Sequence, residues 1–226
     1  MAYDLEEQEQ LDQLKAFWAK YGNLISWVLI AALAAYAGWT YWSNTQSSHA
    51  SQAAGLFNAM ETAIEGKDTA KAKATAGDIR KDFGDTVYAQ FSALALAKMD
   101  LDANDSKSAK AELQWVIDSK YNDEFSAIAR IRLSGILLDE KAYDEATKLL
   151  AAQMPAKFET LVLDRKGDIL AAQNKIDDAR AMYKSALDKT DEKNPAHNMI
   201  QLKFESVGGS VPEKSTASAA GAASAT

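Results

Sequence analysis

Cysteine is absent from the chain. That excludes disulfides, thiolate metal sites and cysteine nucleophiles together, and it suits an oxidising exterior, where a free thiol is a liability. Histidine occurs twice, at His49 and His197. Two distant imidazoles without cysteine neighbours make neither a metal site nor an acid–base pair. No glycine-rich phosphate loop and no nucleophile elbow occur either. The acidic pairs Asp144-Glu145 and Asp177-Asp178 fall where helices are expected to start, so they read as solvated first-turn residues rather than paired catalytic carboxylates. No catalytic, metal-binding or cofactor-binding residue is therefore assigned, and the chain does not read as an enzyme. Proline is limited to Pro155, Pro195 and Pro212 and β-branched runs are scarce, whereas alanine is abundant. That composition predicts helix nearly throughout. Basic residues do not exceed acidic ones, and the net charge of −7 argues against nucleic acid as a partner.

One further absence organises the rest: no Asp, Glu, Lys or Arg occurs between Lys20 and Glu61. Within that gap, residues 24–42 are apolar enough to form a helix of about 28 Å, matching a hydrocarbon core of roughly 30 Å. Six of them (Leu24, Ile25, Val28, Leu29, Ile30 and Leu33) together favour insertion by about 2–4 kcal/mol. Trp18, Tyr21 and Trp27 mark one edge, and Tyr36, Trp39, Tyr41 and Trp42 the other, as aromatic belts do at membrane interfaces. A cleaved signal peptide is disfavoured, because its leader would be rich in acid and its removal would strand Trp39 and Trp42 in water. Lys15 and Lys20 precede the span and no basic residue follows until Lys67. The positive-inside rule then keeps the amino terminus in the cytoplasm and exports the remainder. Ala31, Ala34, Ala35 and Gly38 form two small-xxx-small pairs suited to close helix packing in lipid.

The expected division is a cytoplasmic amphipathic segment over 1–21, interrupted at Gly22-Asn23, a transmembrane helix over 22–43, a repeat domain over 44–207 and a disordered tail over 208–226. The amphipathic segment carries Leu11, Leu14, Trp18 and Tyr21 on one face. From Gly208 the Gly, Ser, Ala and Thr-rich composition lacks the apolar surface needed for order.

In the exported part, Ala72, Ala109, Ala146 and Ala179 recur at intervals of 37, 37 and 33 residues, which brackets the 34-residue tetratricopeptide period. The third and fourth units are clearest, with Leu133-Ser134 ahead of Ala146, and Gly167 ahead of Ala179 and Tyr183. Small residues at these positions allow the two helices of a unit to cross closely. The second unit is looser and the first weak. Lys166 stands where an apolar residue is preferred. Asn194-Pro195 predicts an N-cap and first helical residue for a terminal helix running through Phe204. The fold class is thus all-α: a single transmembrane helix followed by a tetratricopeptide-like α-solenoid.

In such a solenoid the first helix of each unit lines a binding face. The matching positions are Phe57, Ile64, Phe91, Leu94, Leu101, Ile128, Ile131, Leu138 and Leu161. Glu61, Asp102, Asp139, Asp164 and Asp168 are interspersed, so the face is expected to suit an apolar segment bearing basic residues.

The order of parts resembles the YfgM family of ancillary SecYEG translocon subunits. The resemblance rests on residues 9–18 (EQLDQLKAFW), Gly22-Asn23, and Gly38-Trp39-Thr40-Tyr41-Trp42 followed by Gln46 and Ala50-Ser51. It implies a cell inner membrane protein with its repeat domain in the periplasm, associated with SecYEG and the chaperone PpiD. The implied role is passing translocated, unfolded exported chains to periplasmic chaperones. A link to the RcsB regulator would fall on residues 1–21. The alternative is a membrane-anchored tetratricopeptide scaffold for another envelope or secretion complex.

Overall fold

The computed structural model describes residues 3–210, and residues 211–226, most of the expected disordered tail, lie outside the described residues. Among the described residues there are helices and turns but no strand. The charge-free stretch lies within α1, Tyr3–Glu65. It holds a window long and apolar enough to cross a bilayer, with none of that window buried.

The break expected at Gly22-Asn23 does not occur. A glycine inside a helix costs only about 1 kcal/mol, and Gly22 is the one buried residue of its turn because Trp18 covers it. The indole atoms stand 3.2–3.3 Å from where a Cβ would be. Nor does the helix break after residue 43. By packing, the chain divides between Gly55 and Leu56. In the first unit Phe17 packs on Tyr21 at 5.1 Å and Trp39 on Trp42 at 5.8 Å between ring centroids. Ala31, Ala34, Ala35 and Gly38 are all exposed along α1.

The second unit begins with the last turns of α1, from Leu56, and continues through α2 Thr69–Asp82, α3 Val87–Asp102, α4 Ser106–Ser119, α5 Asp123–Asp139, α6 Tyr143–Leu150, α7 Glu159–Ala172, α8 Ile176–Asp188 and α9 Pro195–Ser206. From α2 to α9 each helix packs on its neighbour in sequence, and α5 also meets α7. This is the nearest-neighbour order of a helical solenoid.

The repeat register is fixed by volume. Ala72, Ala109, Ala146 and Ala179 each have no exposed surface. Twelve residues before them stand Ala97, Ser134 and Gly167, all buried, so both helices of each of these units bury a small residue. The first unit departs from this pattern with Met60, itself fully buried.

The turn inside each unit repeats as well. Lys67, Asn104, Lys141 and Asn174 have φ of 57°, 60°, 62° and 61°, each five residues before its alanine. The amide of the residue following each one donates back to a carbonyl five residues earlier: Asp68 to Ala63, Asp105 to Asp100, Ala142 to Leu137 and Lys175 to Leu170, at 2.8–2.9 Å. These are Schellman closures, which satisfy the last carbonyls of the first helix and reverse the chain within two residues. Asp68 and Asp105 then cap the second helix through the amides of Lys71 and Ser108. Asn194 caps α9 through the amide of Ala196, with Pro195 at the first helical position as expected.

Three core clusters follow from this stacking. One joins Met60, Ala72, Ile79 and Leu96; the largest joins Ala97, Leu113, Val116, Leu133, Leu137, Leu150 and Ile169; the last joins Ala179, Tyr183, Phe204 and Val207. Fully burying a Leu, Ile or Phe side chain stabilises by about 1.5–3 kcal/mol. In the last cluster α9 supplies Phe204, covering the apolar end of α8.

Candidate protein-binding groove

Because first and second helices alternate, the first helices of the second unit (residues 56–65 of α1, then α3, α5 and α7) present one common face. Three of them contribute a continuous row of rings. Phe57 of α1 meets Tyr88 and Phe91 of α3 at 6.0 Å, Phe91 meets Phe125 of α5 edge-on at 5.4 Å, and Tyr121 meets Phe125 at 5.9 Å. Such tilted pairs hold each ring in place. Phe91 nevertheless keeps 41% of its surface exposed.

The nine positions read from the sequence fall on this face unevenly. Phe57, Ile64, Ile128, Ile131 and Leu138 are half-buried, with their inner sides against the core. Phe91, Leu101 and Leu161 are open to solvent. Leu94 is buried in the largest core cluster and offers no surface. Tyr88, Tyr121 and Phe125 belong to the row but escaped the sequence reading. Tyr121 stands just before the Asn122 cap of α5 and Phe125 in its first turn, and an apolar pair flanking a helix cap was the available signal.

Further along the same face, a cleft of about 410 Å³ opens between α3, α5 and α7, with Leu101 and Ile136 as apolar lining and Lys98, Arg132, Arg165, Asp102 and Asp139 around it. Its charge is not the acidic lining expected. Asp102 is paired with Lys98 at 2.6 Å. Asp164 and Asp168 are bound instead by Lys203 of α9, whose Nζ donates to both carboxylates at 2.8–3.0 Å. The Tyr183 hydroxyl also donates to Asp168 at 2.9 Å. Burial raises the Asp164 carboxyl above the ordinary carboxylate range despite the lysine, and burial, with Asp168 beside it, raises the Tyr183 phenol. These two acids tie α7 to α8 and α9 and are not free for a ligand. A second cleft of about 660 Å³ lies between α4, α5 and α6, lined by Gln114, Leu133 and Leu149 among others. It contains none of the nine positions.

No group of three or more His, Asp or Glu side chains suited to a metal ion occurs among the described residues. His197 of α9 has a buried Nδ1 without a hydrogen-bond partner, and it stands apart from the ring row.

Residues 15–209 match the family described as a tetratricopeptide repeat-like domain. Along most of its length the chain is also similar to proteins named ancillary SecYEG translocon subunit. The one from Neisseria gonorrhoeae is 31% identical over 208 residues, covering 92% of this chain and 100% of that protein. The chain belongs to the YfgM family of ancillary SecYEG translocon subunits. Two further members of that name agree in extent: the Haemophilus influenzae protein is 27% identical across 80% of this chain and 91% of its own, and the Escherichia coli protein 26% identical across 89% and 96%. In this YfgM-family chain the match begins at residue 15, so it takes in the apolar part of α1 as well as the repeats.

Proposed function

We propose that this protein is a non-enzymatic, single-pass subunit of the inner membrane that associates with the SecYEG translocon. Its amino terminus lies in the cytoplasm and its repeat domain in the periplasm. There it receives segments of chains leaving the channel and passes them to periplasmic chaperones such as PpiD. The observation that carries this reading is the partly exposed ring row of Phe57, Phe91 and Phe125, an apolar face on which Phe91 keeps 41% of its surface exposed. The names of the relatives support the translocon, and the asymmetry of Lys15 and Lys20 against an uncharged far flank supports the orientation. Binding at the groove need only be weak, since anchoring beside the channel raises the effective concentration towards the millimolar range. Residues 1–21 would then face the cytoplasm, where contact with RcsB would fall.

Photocrosslinking in living cells tests this. A crosslinker replacing Ala34 is expected to capture a channel subunit, and one replacing Phe91 to capture nascent exported chains or PpiD. Capture at both positions of a single unrelated envelope complex would overturn the reading and leave the scaffold in its place.

A further inference from the structure

The cleft between α3, α5 and α7 is lined by three basic side chains, Lys98, Arg132 and Arg165, and two carboxylates, Asp102 and Asp139. Arg165 reaches from α7 across to α5, where its guanidinium lies 3.4 Å from the position a Cβ would take on Gly135. The missing side chain lets the guanidinium plane rest on the helix. Among the described residues its one carboxylate contact is with Asp168, at 3.4 Å, and that carboxylate is already held by Lys203 and the Tyr183 hydroxyl. The Arg165 Nε is buried and has no hydrogen-bond partner among the described residues. That nitrogen is out of a ligand's reach, and it is the 31% of the side chain left exposed that lines the cleft.

Arg132 stands one turn before Gly135 on α5, is exposed, and forms no ion pair among the described residues. It lines the same cleft. Lys98 and Asp102 cancel each other, which leaves two guanidiniums against the single exposed carboxylate of Asp139. Beside them Leu101, 38% exposed, supplies apolar surface, while Ile136, 5% exposed, belongs to the core. The volume of about 410 Å³ lies within the range of small-ligand pockets, about 300–1,000 Å³.

We infer that this cleft is an acidic-residue subsite of the groove: it takes an extended segment of a partner chain in which a large apolar side chain sits on Leu101 and a neighbouring Asp or Glu carboxylate accepts from Arg132 and Arg165. The inference rests on the groove reading above and gives it a charge preference opposite to that expected from sequence. Arginine suits the task because its planar fork donates two parallel hydrogen bonds to a carboxylate.

The test is fluorescence anisotropy with the full chain in detergent micelles. Three labelled peptides of one leucine-rich sequence carry two Glu, two Gln or two Lys, each with an amidated carboxyl terminus. The Glu peptide is expected to bind about tenfold more tightly than the Gln peptide, a ratio consistent with charge-assisted hydrogen bonds. The Lys peptide is expected to bind most weakly. Arg132→Gln, at an exposed position that leaves packing alone, is expected to bring Glu-peptide affinity down to near that of the Gln peptide. Arg132→Lys is expected to restore only part of the Glu advantage. Equal binding of all three peptides, or preference for Lys, overturns the subsite while leaving the groove. Absence of binding by all three overturns the groove reading and the subsite with it. A fourth peptide, the Gln sequence with a free carboxyl terminus, separates chain ends from side chains: tight binding of that peptide with no Glu advantage among the amidated three assigns the site to chain ends and overturns the assignment to a side chain.

Discussion

Gly167 is the position where one added methyl group tests the repeat geometry most directly. A Cβ built there would stand 2.5, 2.6 and 2.9 Å from Cε1, Cδ1 and Cζ of Tyr183, where carbon contacts settle at about 3.5–4.0 Å. The ring must therefore retreat by about 1 Å, yet Tyr183 is only 3% exposed and its hydroxyl is fixed to Asp168, one residue along the same helix as the intruding methyl. Overpacking of this kind costs about 1–3 kcal/mol, and weakening the hydroxyl bond adds about 0.5–1.5 kcal/mol. Against this, alanine is a better helix former than glycine by about 0.8–1 kcal/mol. The net expectation for Gly167→Ala is a loss of about 1–3 kcal/mol, or a fall in Tm of about 3–10 °C for a domain of this size.

Thermal unfolding of the full chain in detergent, followed by circular dichroism at 222 nm, measures it. Gly135→Ala serves as the contrast, since its Cβ would meet only the Arg165 guanidinium at 3.4 Å, an ordinary contact, and helix propensity should then hold or raise Tm. A Tyr183→Ala background removes the obstacle, and there Gly167→Ala should stabilise by about 1 kcal/mol. A Gly167→Ala protein that melts at or above the parent temperature would refute the close crossing of α7 and α8.

Ala109→Leu, at a fully buried crossing, is expected to cost about 1–3 kcal/mol by overpacking, whereas Ala111→Leu on the exposed side of the same helix should be near neutral; urea unfolding of the two variants separates them. Lys141→Gly relieves a left-handed residue with φ of 62° and should raise stability by about 0.5 kcal/mol, the margin between the left-handed penalty of an L-residue and the added freedom of an unfolded glycine; a lower urea midpoint would contradict this. Alkaline pH should destabilise the domain from about pH 10 upward. Burial, with Asp168 beside it, raises the Tyr183 phenol, so the unfolded chain releases that proton first and stability falls as pH passes the tyrosine's ordinary value of about 10. The hydrogen bond to Asp100 raises Lys73, and that contribution is present below its ordinary value of about 10.4 and lost as pH rises through the folded one. A pH series of melts on the parent and on Tyr183→Phe should show a shallower alkaline decline in the variant.

The parts of this fold that could be read from sequence are those set by local volume and local backbone. Alanine at one helix crossing, a small residue twelve positions earlier and a reversal between them recur together, so Ala146 and Ala179 with Ser134 and Gly167 disclosed two units plainly. The first unit was faint because Met60 fills the place of the small residue. The break expected at Gly22-Asn23 followed local propensity, which tertiary or side-chain cover routinely overrides, and here the Trp18 ring supplies that cover. The apolar groove positions were legible from spacing along first helices, but burial within a face is not, so Leu94 was counted as surface.

The groove's charge was the least legible feature, and the reason is distance along the chain. The Lys98–Asp102 pair has helical spacing and could have been anticipated. Lys203 meets Asp164 from 39 residues away, and no local pattern announces that contact. Once Lys203 takes up Asp164 and Asp168, the carboxylate that Arg165 would otherwise hold is shared among three donors, and the guanidinium is left facing the cleft with Arg132. A terminal helix that contributes no residue to the ring row therefore changes the chemistry of the groove: by engaging the acids of α7 it turns a face that reads as acidic in sequence into one with two arginines to satisfy.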